Sequence, residues 1–408
     1  MRRLAFCLLI AAMLNADELD ILDSFDAIED STAIKSAESK DGFLEQNGYV
    51  AFQSVYNTDK KREFKRARIK GELELRKRFF NSWRIAVSAT GYYDSIYSLN
   101  DRGEYKSETL KDFESEIELK EAYVQGSILP SLDIKIGRQI AAWGKSDNLR
   151  VTDMLNPLDM REPGMIDIED LRLPTAMAKI DYYIGKWDIS LFAIPEVRFS
   201  KLPPFGSDFY PFGDIKISDT DKPKGAQFAA ALSGNFEGWD IAFYGANLYR
   251  DELLSHERFD MLGSAAAFAF GDWLIKSEAA YLSDLKNANE KFDRFDALIG
   301  AEYAGINDAT FSIEAVLRDP TIDGEKTAYS YAARSTYKML NERANINLLV
   351  MLYGKKADDG AVYRLWGEYD LKDSLKAKLG YALYDGKELP YSAFKQNDRI
   401  FAELKFSF

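Results

Sequence analysis

The chain has 408 residues, with 53 Lys+Arg against 66 Asp+Glu, a formal net charge of −13, one cysteine and one histidine. This acidic balance argues against nucleic acid as a partner. Metal sites built on His or Cys clusters and most histidine-based catalysis lack their components, so we expect no cofactor and no enzymatic activity.

The first 16 residues predict a secretory signal peptide. Arg2 and Arg3 supply the positive start, residues 4–14 are apolar, and Leu14-Asn15-Ala16 forms a cleavage site before Asp17. The apolar run is shorter than the roughly 20 residues that a membrane-spanning helix needs. The only cysteine, Cys7, lies in this segment, so the exported chain would contain none.

Residues 17–45 form an acidic segment for which we predict a periplasmic position or a plug in the lumen of a following domain. Leu19, Leu22, Phe25 and Ile28 recur at helical spacing among aspartates. A short helix and a disordered segment both remain open, since the segment has little apolar mass.

From residue 46 to residue 408 the chain alternates between polar and apolar residues. Between Arg66 and Arg78 the even positions are mostly charged, whereas Ala67, Ile69 and Leu73 occupy odd positions. A period of two indicates β-strands, because a helix repeats every 3.6 residues. We predict about eighteen strands, with sixteen as the alternative: 48–57, 65–79, 83–96, 115–128, 131–143, 174–184, 187–197, 226–236, 239–250, 258–270, 273–283, 293–304, 308–318, 327–338, 344–353, 361–371, 374–385 and 397–408.

Tryptophans mark one end of this strand array. Trp83, Trp187, Trp239 and Trp273 each follow a tight turn, and tryptophan prefers the interface between membrane and water. The connections on the other side include the long links 97–114, 144–173 and 198–225. Short turns on one side and long loops on the other are typical of outer-membrane barrels. We therefore predict an all-β, transmembrane, antiparallel up-and-down barrel in the outer membrane of a Gram-negative bacterium.

The last predicted strand alternates to its final residue. Ile400, Ala402, Leu404, Phe406 and Phe408 share one face. A terminal phenylalanine on such a strand resembles the signal by which the barrel-assembly machinery recognises outer-membrane barrels. We expect this machinery and the outer-membrane lipids to be partners. A homotrimer and a periplasmic partner remain open.

A succession of motifs occupies the end of the fifth predicted strand and the link after it: Gly137-Arg138-Gln139, Trp143-Gly144, Asn156-Pro157 and Asp159. The region 115–175 resembles a family of Gram-negative outer-membrane porin-like barrels that share this succession. It is also distantly similar to alginate-export-type porins. The resemblance implies a porin-like channel or exporter and names no substrate.

The long link 144–173 predicts a constriction loop, because loops beyond about 12–15 residues are usually functional when they lack structure of their own. Its acidic residues are Asp147, Asp153, Asp159, Glu162, Asp167, Glu169 and Asp170. A basic wall is predicted to face them across the pore, formed by Arg66, Arg68, Lys70, Arg76, Arg78, Arg84, Lys376 and Lys378. Such a transverse field would orient passing solutes. The alternative is that these charges pair with wall carboxylates merely to solvate the lumen.

Two functions follow from these features. The first is a porin-like channel for the passive passage of small polar or charged solutes, constricted by residues 144–173. The alternative is a transport or export barrel for an apolar or lipid-like molecule that works with a periplasmic partner. The alternative is favoured by the aromatic link 198–225 and by apolar residues at inward positions: Leu349, Met351, Trp366 and Phe401.

Overall fold

The computed structural model of the protein describes residues 44–408 except 60–61, 81, 167, 218–222, 253–254, 287–289, 323–325 and the side chains of Ile168 and Glu169. The predicted signal peptide lies outside the described residues. So does the predicted acidic segment, apart from its last two residues.

The described chain forms one sheet of 18 strands. The strands are β1 (Leu44–Asn57), β2 (Glu63–Phe79), β3 (Trp83–Asp94), β4 (Ser115–Leu129), β5 (Leu132–Gln139), β6 (Thr175–Ile184), β7 (Trp187–Ile194), β8 (Gln227–Phe236), β9 (Trp239–Tyr249), β10 (Arg258–Phe270), β11 (Trp273–Lys286), β12 (Lys291–Ile306), β13 (Ala309–Pro320), β14 (Ala328–Met339), β15 (Ala344–Tyr353), β16 (Gly360–Lys372), β17 (Leu375–Gly386) and β18 (Arg399–Ser407). Short helices lie in the links: α1 (Ile96–Leu99), α2 (Ser107–Phe113), α3 (Ile168–Leu171) and α4 (Tyr391–Phe394). None of the helices in the described ranges is long and apolar enough to cross a membrane.

Each strand pairs antiparallel with the next, and β18 pairs antiparallel with β1, so the sheet closes into a barrel. At the seam the Gly48 amide donates to the Phe408 carbonyl at 2.8 Å, and the Phe408 amide donates back at 2.9 Å. A Cβ on residue 48 would lie 2.7 Å from the Phe408 ring, which is why glycine fits here. The predicted fold class and the count of eighteen strands are confirmed.

The alternation read from the sequence separates the two faces of the barrel wall. On β18 the even positions Ile400, Leu404 and Phe406 point outward and are exposed, whereas Arg399 and Phe401 point inward and are buried. A closed sheet leaves no unpaired edge, and an apolar outer face suits contact with lipid.

Aromatic residues form a band at the short-turn end of this outer face. The strands β3, β7, β9 and β11 each begin at a tryptophan. Trp239 stacks between Phe236 and Phe268, with ring centroids 4.2 and 6.1 Å apart, and Trp273 lies 4.6 Å from Tyr303. Aromatic girdles of this kind flank the apolar band of membrane barrels.

The largest hydrophobic core lies inside the barrel. Leu149, Val151 and Leu155 from the link between β5 and β6 pack with inward residues of the wall such as Phe259 and Leu282. The interior of a membrane barrel is usually polar, and here the folded link accounts for the apolar part. The structure also ends β5 at Gln139 rather than at residue 143, because the chain leaves the sheet there to enter the lumen.

The outward position of Ile299, 64% exposed in the middle of β12, provides a test of lipid contact. We expect Ile299→Arg to destabilise the protein in lipid vesicles by about 2–4 kcal/mol, because a cation at the bilayer midplane loses its hydration. The control is Leu340→Arg, at an equally exposed turn position, which we expect to change stability by less than about 1 kcal/mol. Urea unfolding measures both, and equal effects would contradict lipid contact at Ile299.

Candidate functional site

Residues 140–174, called the inner loop below, are attached to the lumen wall by two buried carboxylates. Glu278 on β11 and Glu314 on β13 are 3% and 4% exposed. Their oxygens accept hydrogen bonds of 2.6 to 3.0 Å from six backbone amides of the loop, those of Lys145, Ser146, Asp147, Asn148, Leu149 and Thr152. Hydrogen bonds to a carboxylate are stronger than neutral ones. The segment 145–152 is therefore fixed against the wall.

The Trp143-Gly144 motif lies at the start of this attachment. Gly144 has a φ of +83°, and a Cβ there would lie 2.5 Å from the Glu278 carboxylate. The Trp143 ring stacks on Tyr244 at 4.7 Å and meets Phe192 edge-on at 5.7 Å. Glycine thus lets the backbone approach the carboxylate, and the tryptophan anchors the turn in the internal core.

Asn156 closes the base of the inner loop. It is 1% exposed. Its side chain accepts a hydrogen bond from the Ala141 amide at 2.7 Å and donates to the carbonyls of Gln139 and Leu173. The Leu173 amide in turn donates to the Pro157 carbonyl at 2.7 Å. These bonds bring the two ends of the loop together.

Gly137 and Arg138 support this base from β5. Gly137 has a φ of +134°, and a Cβ there would lie 2.2 Å from the Ala122 carbonyl oxygen, so only glycine allows the approach of β4. Arg138 donates twice to Glu196, at 2.7 and 2.8 Å. The succession of motifs from Gly137 to Asp159 therefore consists largely of residues that shape the inner loop or attach it to the wall.

The tip of the inner loop crosses the lumen to β2 and β18. Glu162 forms ion pairs with Arg66 and, at 3.7 Å, with Arg399. Burial alone would raise the pKa of Glu162, but the adjacent guanidinium groups of Arg66, Arg68 and Arg399 outweigh it and lower the pKa to about 2. The acidic loop and the basic wall thus make direct contact at Arg66.

Arg161 holds the loop tip from the other side. Its guanidinium pairs with Asp159 at 2.5 Å and with Glu116 on β4 at 2.8 Å, and it donates to the Asp112 carbonyl at 2.6 Å. No sequence pattern predicts this role, because Arg161 is a single cation in a loop whose predicted function rests on its carboxylates.

Other predicted acidic residues are distributed along the loop and are engaged by neighbouring cations. Asp147 pairs with Lys276 on β11, and Asp153 pairs with Arg172 at 2.8 Å. Asp170 lines the cavity described next. Two predicted positions lie outside the described residues: Asp167 and the side chain of Glu169.

A cavity of about 430 Å³, called the basic chamber, lies between the inner loop and the wall formed by β1–β4 and β16–β18. Of the predicted basic wall it is lined by Arg66, Arg68, Lys70 and Lys378. Arg68 pairs with Asp94 at 3.2 Å and lies 3.8 Å over the Tyr92 ring.

Two lysines in the basic chamber differ from the other cations. Lys70 on β2 and Lys405 on β18 both stand opposite Ala51 of β1 in the register, so they occupy one ring of the inner wall. Lys405 lies 4.2 Å over the Tyr49 ring. Within the described part of the chain, neither ammonium forms an ion pair with a carboxylate. Glu72 and Glu403 line the same chamber, so the ring holds two ammonium groups that lie outside direct ion pairs.

The remaining predicted basic residues lie on the inner face closer to the short turns and outside the chamber lining: Arg76, Arg78, Arg84 and Lys376. Arg76 pairs with Glu74 at 2.8 Å, and Lys376 and Lys378 share Glu368 at 3.7 and 2.9 Å. Charge pairing along the wall is thus extensive outside the Lys70–Lys405 ring.

A second cavity of about 500 Å³ lies on the other side of the loop tip. Asp159, Glu162 and Ile166 line both cavities, so the segment 159–166 forms the partition between them. The described ranges contain no group of three or more His, Cys, Asp or Glu residues arranged to hold a metal ion.

The barrel is similar in fold to several solved structures of Gram-negative outer-membrane proteins. OccAB3 of Acinetobacter baumannii superimposes with a TM-score of 0.56 at 10% identity, over 90% of this chain and 99% of that chain. OccAB1 of the same organism gives 0.57 at 7% identity, over 92% and 99%. OpdK of Pseudomonas aeruginosa, solved with vanillate, gives 0.56 at 10% identity, over 90% and 98%. At these identities the likeness concerns the fold.

The family model described as "Protein of unknown function (DUF1302)" matches residues 45–408, and the chain belongs to this family. A comparison with curated proteins finds no match. The similarity to alginate-export-type porins stays a prediction.

Removing the wall carboxylates tests the attachment of the inner loop. We expect Glu278→Ala/Glu314→Ala to make the loop cleavable by trypsin after Lys145 and Arg150, because each amide left without an acceptor costs about 1–3 kcal/mol. The control, Glu368→Ala, removes a wall carboxylate that binds lysine side chains of β17. Cleavage is followed by mass spectrometry in the refolded barrel, and full protection of the double variant would contradict the attachment.

The pH dependence of stability tests the contact at the loop tip. Because the folded-state pKa of Glu162 lies below its ordinary value of 4.5, its carboxylate stabilises the fold above about pH 4.5, and this contribution disappears as the pH falls to about 2. We expect the wild-type protein to exceed Glu162→Gln in unfolding free energy by about 2–3 kcal/mol at neutral pH. The gap should close between pH 4.5 and 2 in urea titrations. A gap that stays constant over this range would be inconsistent with the ion pair.

Proposed function

We propose that the protein is an outer-membrane channel for the passive passage of small polar or charged solutes, constricted by the inner loop and preferring anions. The observation that carries this proposal is the ring of Lys70 and Lys405, whose charges lack carboxylate partners within the described residues. Closed barrels of 16 or 18 strands are wide enough for an aqueous channel.

The anion preference follows from the pattern of pairing. A paired carboxylate and guanidinium cancel at a distance, so the Arg66–Glu162 contact contributes little field to a passing ion. Two ammonium groups that share one ring and form no ion pair attract anions and repel cations, and charged rings of this kind set the selectivity of pores. In this proposal the electrostatic effect on a passing solute comes from the ring of Lys70 and Lys405 rather than from the whole predicted basic wall.

The dimensions of the basic chamber support a small solute. Its volume of about 430 Å³ falls in the range of roughly 300–1,000 Å³ that is typical of small-molecule sites. OpdK, a barrel of the same fold, has been solved with vanillate, so this architecture admits a small organic molecule. The aromatic band and the apolar outer face support a location in outer-membrane lipid.

The apolar residues at inward positions do not require a lipid exporter. Leu349, Trp366 and Phe401 pack in a buried cluster with Phe209 of the link 198–225 and with Phe394 of α4. These contacts hold two of the links against the inner wall. The apolar side chains are therefore explained by packing within the protein, without an apolar cargo. Assembly through the strand that ends at Phe408, a homotrimer and a periplasmic partner stay predictions.

Neutralising the lysine ring tests the proposed selectivity. We expect wild-type protein in planar bilayers under a salt gradient to give open steps with an anion-selective reversal potential. Lys70→Gln/Lys405→Gln should shift the reversal potential toward cation selectivity, since the carboxylates of the lumen then dominate.

Lys338→Gln provides the matched control, because Lys338 pairs with Glu342 near a short turn and away from the chamber. It should leave the reversal potential unchanged. If the double variant has the same ion selectivity as the wild type, the proposed role of the lysine ring is wrong. If the wild-type barrel shows no conductance, the proposed channel function is wrong.

A further inference from the structure

The second cavity, called the apolar chamber below, lies between the inner loop and the inner face of β10–β15. Its volume is about 500 Å³. Most of its lining is apolar, with wall residues Phe259, Leu282, Leu285, Leu349 and Met351 facing loop residues Met154, Leu158 and Met160. Apolar residues thus face a cavity from both sides inside a barrel whose interior is expected to be polar.

The charged residues in the lining of the apolar chamber are all engaged with protein partners. Arg294 donates to Asp296 at 2.8 and 2.9 Å, and Arg318 lies 3.7 Å from the same carboxylate. Arg150 donates to the Asp153 carbonyl at 2.6 Å and lies 3.4 Å from its carboxylate.

The other charged groups of this lining are satisfied in the same way. Arg250 pairs with Glu252, and Asp251 accepts from the amide and the hydroxyl of Ser200 at 2.8 and 2.5 Å. Asp159 and Glu162 belong to the contacts of the loop tip. Asp251 forms no ion pair among the described residues, but both of its carboxylate oxygens accept from Ser200. The described lining therefore offers a ligand no charged group without a protein partner.

Uncharged hydrogen-bonding groups are present on the wall. Ser330 of β14 and Tyr353 of β15 are register partners and both line the chamber. Their hydroxyls can donate to or accept from a ligand without carrying charge. The Tyr353 ring stacks on Tyr391 at 4.2 Å, which fixes its orientation.

We propose that the apolar chamber is a binding site for an uncharged organic molecule with an apolar body and one or two hydroxyl or carbonyl groups. A mostly apolar cavity with a few polar groups is the usual form of a small-molecule site. A ligand carrying a formal charge would be desolvated without an opposite partner, which costs free energy. The site differs in chemistry from the basic chamber and lies on the opposite side of the partition 159–166, so it goes beyond the proposed passage of anions.

Equilibrium binding tests this site without requiring conductance. Refolded protein in lipid nanodiscs is titrated calorimetrically with benzyl alcohol, benzoate and glycerol, and empty nanodiscs supply the blank for partition into lipid. Benzoate keeps the ring and adds a charge, whereas glycerol keeps hydroxyls and removes the apolar body. We expect saturable binding of benzyl alcohol, with benzoate and glycerol weaker by about tenfold or more.

Met351→Gln makes the chamber wall more polar with little change in side-chain volume. It should lower the affinity for benzyl alcohol by about fivefold or more. Met339→Gln is the matched control, since Met339 lies at the short-turn end of β14 and outside the lining. Tyr353→Phe supplies a second variant that removes only a hydroxyl. It should weaken benzyl alcohol while leaving toluene unchanged.

The competing outcomes are distinct. Benzoate that binds as tightly as benzyl alcohol would overturn the uncharged class of ligand, and heat signals equal to those of empty nanodiscs would overturn the site. Binding that is unaffected by both Met351→Gln and Tyr353→Phe would place the ligand elsewhere and also overturn it. These binding measurements do not depend on conductance. The ligand site can therefore be disproved without disproving the channel, and the channel without disproving the ligand site.

Discussion

The arrangement of the lumen depends on the hydrogen bonds between two buried carboxylates and the backbone of the inner loop. Glu278 and Glu314 together accept from six amides between Lys145 and Thr152. A loop inside a barrel must satisfy its own amides, since it has no sheet partner. The carboxylates provide acceptors where a neighbouring strand would otherwise be needed. In return, the six amide hydrogen bonds compensate for the free-energy cost of removing two carboxylates from water.

This attachment organises the remaining interior. Once residues 145–152 are fixed, Leu149, Val151 and Leu155 complete a core with the wall of β10 and β11. The chain then returns to the base at Asn156 and extends its tip to Arg66 and Arg399. The lumen is thereby divided into two cavities of different chemistry: one contains two lysines outside ion pairs, and the other has apolar walls and charges that are held by protein partners.

The contrast between paired and uncompensated charges separates structural from functional residues. Most cations of the interior hold the loop or the wall, as Arg161 does through Asp159 and Glu116. Lys70 and Lys405, which are half-buried, form no ion pair with a carboxylate in the described chain. A ring that attracts a passing anion needs ammonium groups that are not already paired with carboxylates. A sequence count of basic residues cannot make this distinction, because it weighs Arg66 and Lys70 alike.

The sequence by itself determined the barrel. Period-two alternation, tryptophans at strand starts and alternating link lengths predicted the class and which side chains of β2 and β18 face inward, since these depend on local periodicity. They also predicted about eighteen strands, and the structure decided for eighteen over the alternative of sixteen. The pairing inside the lumen was decided only by tertiary structure. Glu278 lies 133 residues from Lys145, and Lys70 meets the ring of Lys405 only because β18 closes on β1. Partners so distant in the chain leave no periodic signal, because barrel closure and the path of the inner loop together determine which charges meet.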